Sequence, residues 1–180
     1  HDTFAVAATW SASRQLRPSG MNLDDHEAVT AIAWLELDLV PGGEVFRAMA
    51  RERGLSLAEF GRFAAEHPEV DVELDARLAE RARLGGVVIE SRLAAWIARN
   101  EGLAAVTTFM DCAPEVRAER VGGRDGVSLA RALADNAERQ RVERDRYLAL
   151  YGIDIEDLSA YDLVLDSGTL SPDELADRIV

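Results

Sequence analysis

Three stretches of the chain carry residues suited to handling a phosphate. In PGGEVFR, residues 41–47, a Gly-Gly turn opens a helix whose first turns set Glu44 and Arg47 on one side. The N–H groups of a helix N-terminus favour an anion, and an arginine offers a planar fork that matches phosphate oxygens. In VVIESRLAAW, residues 87–96, an apolar run ends in Glu90, and Arg92 starts the next helix. An acid at the tip of a core strand can hold a metal-bound water or orient a substrate, while the arginine grips a phosphate. In FMDCAPEVRAERVGGRDG and AERQRVERDRY (109–126 and 137–147), Arg117, Arg120, Arg124, Arg139, Arg141, Arg144 and Arg146 surround a Gly-Gly pair. Phosphoryl transfer needs positive groups that close over the moving charge, often from a mobile helix pair. Each stretch also has a plainer reading: a helix start with a surface arginine, a strand-end acid capping the next helix, a solvated helix laced with i,i+4 ion pairs.

Such residues need elements to position them. Apolar runs with β character recur at TFAVAAT (3–9), GGVVIES (85–91), LAAVTTFMD (103–111) and YDLVLD (161–166), and more weakly at LELDLV (35–40). Helical patterns separate them, at 22–37, 56–67, 70–84 and 113–149. Short buried strands alternating with helices predict an α/β fold with a parallel sheet covered on both faces. Ligands of such folds bind beyond the carboxyl ends of the strands, which is where Gly42-Gly43, Glu90-Ser91 and Asp111 fall. Ser56-Leu-Ala-Glu59 reads as a capping box, and Ser171 followed by Pro172 as a helix start. Three short helices without a strand between the second and third strands predict a helical insertion. The glycines of VGGRDG, residues 121–126, predict a hinge in the arginine-rich helical stretch. The stretch SRQLRPSGMN, residues 13–22, lies between the first strand and first helix, where a phosphate-binding loop belongs. It has one glycine and no lysine.

Composition narrows the function. The chain of 180 residues, 48% apolar and 29% charged, fits one soluble domain. A net charge of −13 argues against general nucleic-acid binding. Within 117–146, however, eight arginines face six acids, a positive island suited to a small polyanion. All 20 basic residues are arginine, so any role a lysine would fill passes to another group. The absence of a membrane-length apolar run or signal-peptide pattern predicts no membrane association. The single Cys112 predicts no disulfide framework and a cytoplasmic setting. Histidines at 1, 26 and 67 are too scattered to predict a metal site. Nothing in the sequence specifies an oligomeric state.

Together these stretches resemble a known family. From Val40 to its end the chain resembles the short, archaeal-type cytidylate kinases of the nucleoside monophosphate kinase group. The resemblance rests on PGGEVFRAMARERGLSLAEFGRFAAEHPEVD, VVIESRLAAW, DCAPEVRAER and ERDRYLALYGIDIEDLSAYDLVLDSGTLSPDEL. It implies a P-loop NTPase-like parallel five-stranded sheet with helices on both faces. The core would be residues 1–42, 85–120 and 147–180, the monophosphate-binding insertion 43–84, and the lid 121–146. The implied reaction moves the γ-phosphate of ATP, with Mg²⁺, to CMP or dCMP, with no nucleic acid polymer and no membrane as partner. By motif position Gly43, Glu44, Arg47, Glu90 and Arg92 resemble the acceptor site, with Arg47 and Arg92 on the acceptor phosphate. Arg124 and Arg139 resemble lid arginines acting on the transferring phosphoryl. Ser91 stands where relatives commonly have a glycine. Alternatives are a kinase with another small acceptor such as UMP or AMP, and a catalytically impaired nucleotide-binding or regulatory homologue.

The front of the chain departs from that family, whose phosphate loop is rich in glycine and ends in Lys/Thr and Thr/Ser. Such a loop works through a wrap of N–H groups, a positive charge and a hydroxyl for magnesium. The window 8–15 offers Arg14 for the lysine; the window 19–22 offers Ser19 and Gly20, with Met21 and Asn22 at the last two positions. Neither supplies both charge and hydroxyl. Asp24 and Asp25 follow, two carboxylates that suit a helix dipole but repel a triphosphate.

Overall fold

Successive residues of Val87–Ser91 point to opposite faces, and both faces are apolar. Val87 and Ile89 pack with Leu78, Ala82, Ala94 and Ile97, whereas Val88 packs with Met110, Leu165 and Leu175. A strand buried on both sides needs a layer on both sides. The computed structural model describes residues 4–9 and 37–179. Its strands are β1 (Phe4–Thr9), β2 (Asp38–Pro41), β3 (Val87–Ser91), β4 (Ala105–Asp111) and β5 (Leu163–Asp166). Helices α1 (Gly42–Glu52), α2 (Leu57–Glu66) and α3 (Glu69–Arg83) stand between β2 and β3, and α4 (Ala94–Asn100) between β3 and β4. Helices α5 (Pro114–Asp125) and α6 (Leu129–Tyr151) precede β5, and α7 (Pro172–Ile179) follows it. The helix expected over 22–37, and Arg14, Ser19, Gly20, Met21 and Asn22, lie outside the described residues.

The strands lie in the order β2-β3-β1-β4-β5. β2 pairs in parallel with β3, and β4 in parallel with β5. β1 lies between β3 and β4 and is antiparallel to both, which corrects the expectation of parallel strands throughout. A short apolar run specifies burial but not direction, because a neighbouring strand offers its N–H and C=O groups to either orientation. Thr9 is therefore opposite Val87 and Ala105, where β3 and β4 begin. Thr9 thus lies at the end of the strands opposite to Glu90 and Asp111.

The expected helical insertion is present as α1–α3, with a small core of its own: Met49, Ala50, Phe60, Ala64 and Val70. Ser56 starts α2 with the anticipated capping box, each partner satisfying the other's backbone N–H. The hinge expected at the double glycine is displaced. Helix α5 runs through Gly122 and Gly123 and stops at Gly126, whose φ of 69° is left-handed. Gly122 is required for a different reason: a Cβ there would come within 2.9 Å of the Val127 carbonyl oxygen. YGIDIED likewise proves to be a helix stop. Gly152 takes a left-handed φ of 67°, and Asp154 then accepts two hydrogen bonds from Arg144, at 2.9 and 2.6 Å.

Candidate active site

The N-terminus of α1 meets the carboxyl end of β3. A Cβ on Gly42 would lie 3.2 Å from the Glu90 carbonyl oxygen and 3.6 Å from the Ser91 Cβ, so glycine allows this close approach. Arg47 folds back toward the same turn, and a Cβ on Gly43 would meet its terminal nitrogens at 3.7 and 3.8 Å. Its Nε and a terminal nitrogen donate to Glu44 Oε1 at 3.1 and 2.6 Å. That hydrogen bond and the Arg47 charge hold the Glu44 carboxyl below the usual range. Gly43, Glu44 and Arg47 therefore form one unit at the helix start. Glu90 is half-buried beside it. The Ser91 hydroxyl accepts from the Leu93 N–H at 3.3 Å, which turns the chain into α4.

Arg92 comes from the turn after β3 and meets α6. Its Nε lies 3.0 Å from Glu143 Oε2, while Glu143 Oε1 accepts from Arg139 Nε at 2.8 Å. The strand-end arginine and the helix arginine thus converge on one carboxylate. Arg124 is held elsewhere, by a two-point pair with Asp125 at 2.7 and 3.0 Å. Asp111 caps its own turn by accepting from the Cys112 N–H at 2.8 Å. Arg120 donates to the Ser167 carbonyl at 2.7 Å and fastens α5 to the turn after β5. Arg131 and Arg141 pair with Asp135, Glu138 and Asp145 along the exposed side of α6, the plainer reading for those positions.

A second constellation escaped the sequence reading. Asp71 and Asp75, one turn apart on α3, face Arg146 and Tyr151 on α6. Arg146 lies 3.2 Å from Asp71 Oδ1, and the Tyr151 hydroxyl donates to Asp75 Oδ2 at 2.7 Å. The i,i+4 spacing of the two aspartates was readable, but nothing local indicates that α6 supplies their partners. Burial, then the nearby Asp71, pushes the Asp75 carboxyl up to about 6, against the Tyr151 hydrogen bond and the Arg146 charge. The folded protein therefore keeps a proton that the unfolded chain has lost. Stability from this group is complete below the ordinary aspartate range and is lost as pH rises through about 6. Asp75→Asn should remove that loss. In urea titrations its advantage over the parent should grow to about 2–3 kcal/mol between pH ~4 and pH ~7. A constant difference across that range would contradict the assignment.

Among the described residues no three His, Cys, Asp or Glu side chains come together as metal ligands, and no helix is long and apolar enough to cross a membrane. A mixed α/β core with parallel outer strand pairs, a helical insertion and arginines gathered beyond a strand end is consistent with a P-loop kinase fold. Residues 33–169 match the cytidylate kinase-like family, and the chain belongs to it. It is 49% identical over 134 residues to a cytidylate kinase of Pyrococcus abyssi, covering 74% of this chain and 72% of that one. It is 48% identical over 134 residues to a cytidylate kinase of Pyrococcus horikoshii, covering 74% and 68%. It is 46% identical over 137 residues to one of Pyrobaculum arsenaticum, covering 76% and 73%.

Proposed function

We propose that the protein is a nucleoside monophosphate kinase that transfers the γ-phosphoryl group of ATP to CMP or dCMP, giving CDP or dCDP. The observation that carries this reading is the meeting of Arg92 and Arg139 on Glu143, in a chain of the cytidylate kinase-like family. Phosphoryl transfer depends on positioning and charge stabilisation. Arg47 and Arg92 grip the acceptor phosphate, with Gly43 and Glu44 forming the turn beside it. Arg139, joined by Arg124, serves the transferring phosphoryl as residues 121–146 close as a lid over the insertion, residues 43–84. The described residues gather no metal cage. A magnesium ion bound with ATP would supply charge neutralisation on the phosphates, and Glu90 is the carboxylate that would stand near it. The single buried Cys112 suits a reducing, cytoplasmic setting.

One observation favours a second reading, in which the acceptor pocket is intact and the donor side impaired. Thr9, the last residue of β1, lies opposite the start of β3 and so at the other end of that strand from Glu90, and residues 1–32 fall outside the family match. Calorimetric titration with CMP, and separately with ATP–Mg²⁺, tests both, alongside coupled detection of ADP. CMP binding with CMP-dependent ADP production supports the kinase; CMP binding without ATP binding supports the impaired homologue. Binding of neither nucleotide overturns both, and preferential turnover of UMP or AMP replaces the acceptor.

A further inference from the structure

We propose that Glu143 is a positioning residue that holds the acceptor arginine Arg92 and the helix arginine Arg139 in one geometry. The proposal rests on the reading of those arginines as phosphate ligands. Glu143 lies mid-way along α6 with its side chain only 15% exposed, against 26% for Arg92 and 51% for Arg139. Its Oε1 accepts squarely from Arg139 Nε at 2.8 Å. Its Oε2 is 3.0 Å from Arg92 Nε yet off the line of a hydrogen bond, and that buried oxygen has no aligned donor among the described residues.

Both contacts use Nε, the inner nitrogen of each guanidinium. The carboxylate can therefore keep each fork by its inner edge while terminal nitrogens take phosphate oxygens. Charge supports the same role. Two guanidiniums this close repel, and one carboxylate between them offsets that repulsion. Two local ion pairs on α6 do not share this reach. Arg131–Asp135 and Arg141–Glu138 stay on the exposed side of their own helix, whereas Glu143 extends to the turn after β3.

The test compares the full chain with Glu143→Gln and Glu143→Asp, using CMP kinase kinetics and NMR of the arginine Nε–H groups. In Glu143→Gln, kcat should fall about 10–100-fold, the cost of a misplaced catalytic group. KM for CMP should rise no more than about threefold, since Arg47 and Arg92 still carry their charge. Glu143→Asp, which keeps the charge on a shorter arm, should recover part of kcat. The Nε–H protons of both Arg92 and Arg139 should exchange with solvent faster in Glu143→Gln. Unchanged kcat with only a lowered melting temperature would reduce Glu143 to a structural role and overturn the proposal. Tighter CMP binding at undiminished kcat would overturn it too, since Glu143 would then merely compete with phosphate. If the parent neither binds nor phosphorylates CMP, the functional reading fails, and the Nε–H comparison alone decides whether Glu143 holds both arginines.

Discussion

Arg92→Ala is expected to weaken CMP binding by about 1.5–3 kcal/mol, roughly ten- to 150-fold in Kd. The figure is that of charge-assisted hydrogen bonds to a phosphate, lost at an arginine that stands both at the end of β3 and against α6. Arg47, held by Glu44 at the start of α1, should show a loss in the same range when replaced by alanine. Two comparisons keep the result specific. Cytidine has the base and sugar but no phosphate, so it should bind parent and Arg92→Ala alike. Arg92→Lys keeps the charge but not the fork, and should fall between the two. Removing Arg92 also withdraws one partner from Glu143, but Arg139 continues to neutralise that carboxylate. The accompanying loss of folding stability should therefore be modest, on the order of 1 kcal/mol. Calorimetric titration at fixed ionic strength makes the measurement. Unchanged affinity for CMP would remove Arg92 from the phosphate site, and an equal loss for cytidine would mean that the pocket itself had collapsed.

What the sequence disclosed about this site, and what it withheld, follows from the range of the interactions involved. The capping box at Ser56 and Glu59 and the helix start at Gly42-Gly43 are local, and local residue types reveal them. The apolar run ending at Glu90 reveals a strand because burial on two faces leaves its mark on successive residues. Direction leaves no such mark, so the antiparallel course of β1 was hidden. The double glycine at 122–123 misled for a related reason. Glycine signals either freedom or crowding, and only the position of the Val127 carbonyl distinguishes them. The arginine-rich helix carried the opposite ambiguity. Pairs at i,i+4 such as Arg139–Glu143 can be read from spacing, but the arrival of Arg92 on the same carboxylate is a tertiary fact. The resemblance was visible because it lay in motifs such as YGIDIED, whose job is to stop α6 and tie its end by Arg144–Asp154. That motif therefore identifies the fold more directly than the chemistry.

Phe60→Ala is expected to cost about 3–5 kcal/mol of local stability, the usual range for emptying a core phenylalanine site. Phe60 is fully buried, with its ring centroid 4.6 Å from that of Phe46 and the Arg53 guanidinium 5.4 Å from its centroid. The core it fills is small, and it joins the main core chiefly through Val45 and Leu74, which pack against both clusters. A cavity of that size in a cluster of a few side chains has little else to close it. The insertion should consequently loosen before the sheet does. Hydrogen exchange should show amides of residues 42–66 losing protection while those of β3 and β4 keep theirs. Phe63→Ala, on a ring 37% exposed, should cost only about 1 kcal/mol, because solvent already reaches it. The functional consequence follows from the helix that carries both residues. Phe46 faces Phe60 from α1, and Arg47 is its neighbour, so loosening α1 releases the arginine proposed for the acceptor phosphate. CMP affinity should fall with local stability, even though Phe60 is a core residue remote in kind from any phosphate ligand. Uniform loss of protection across the insertion and the sheet would show one cooperative unit, and the insertion could then not move independently of the core.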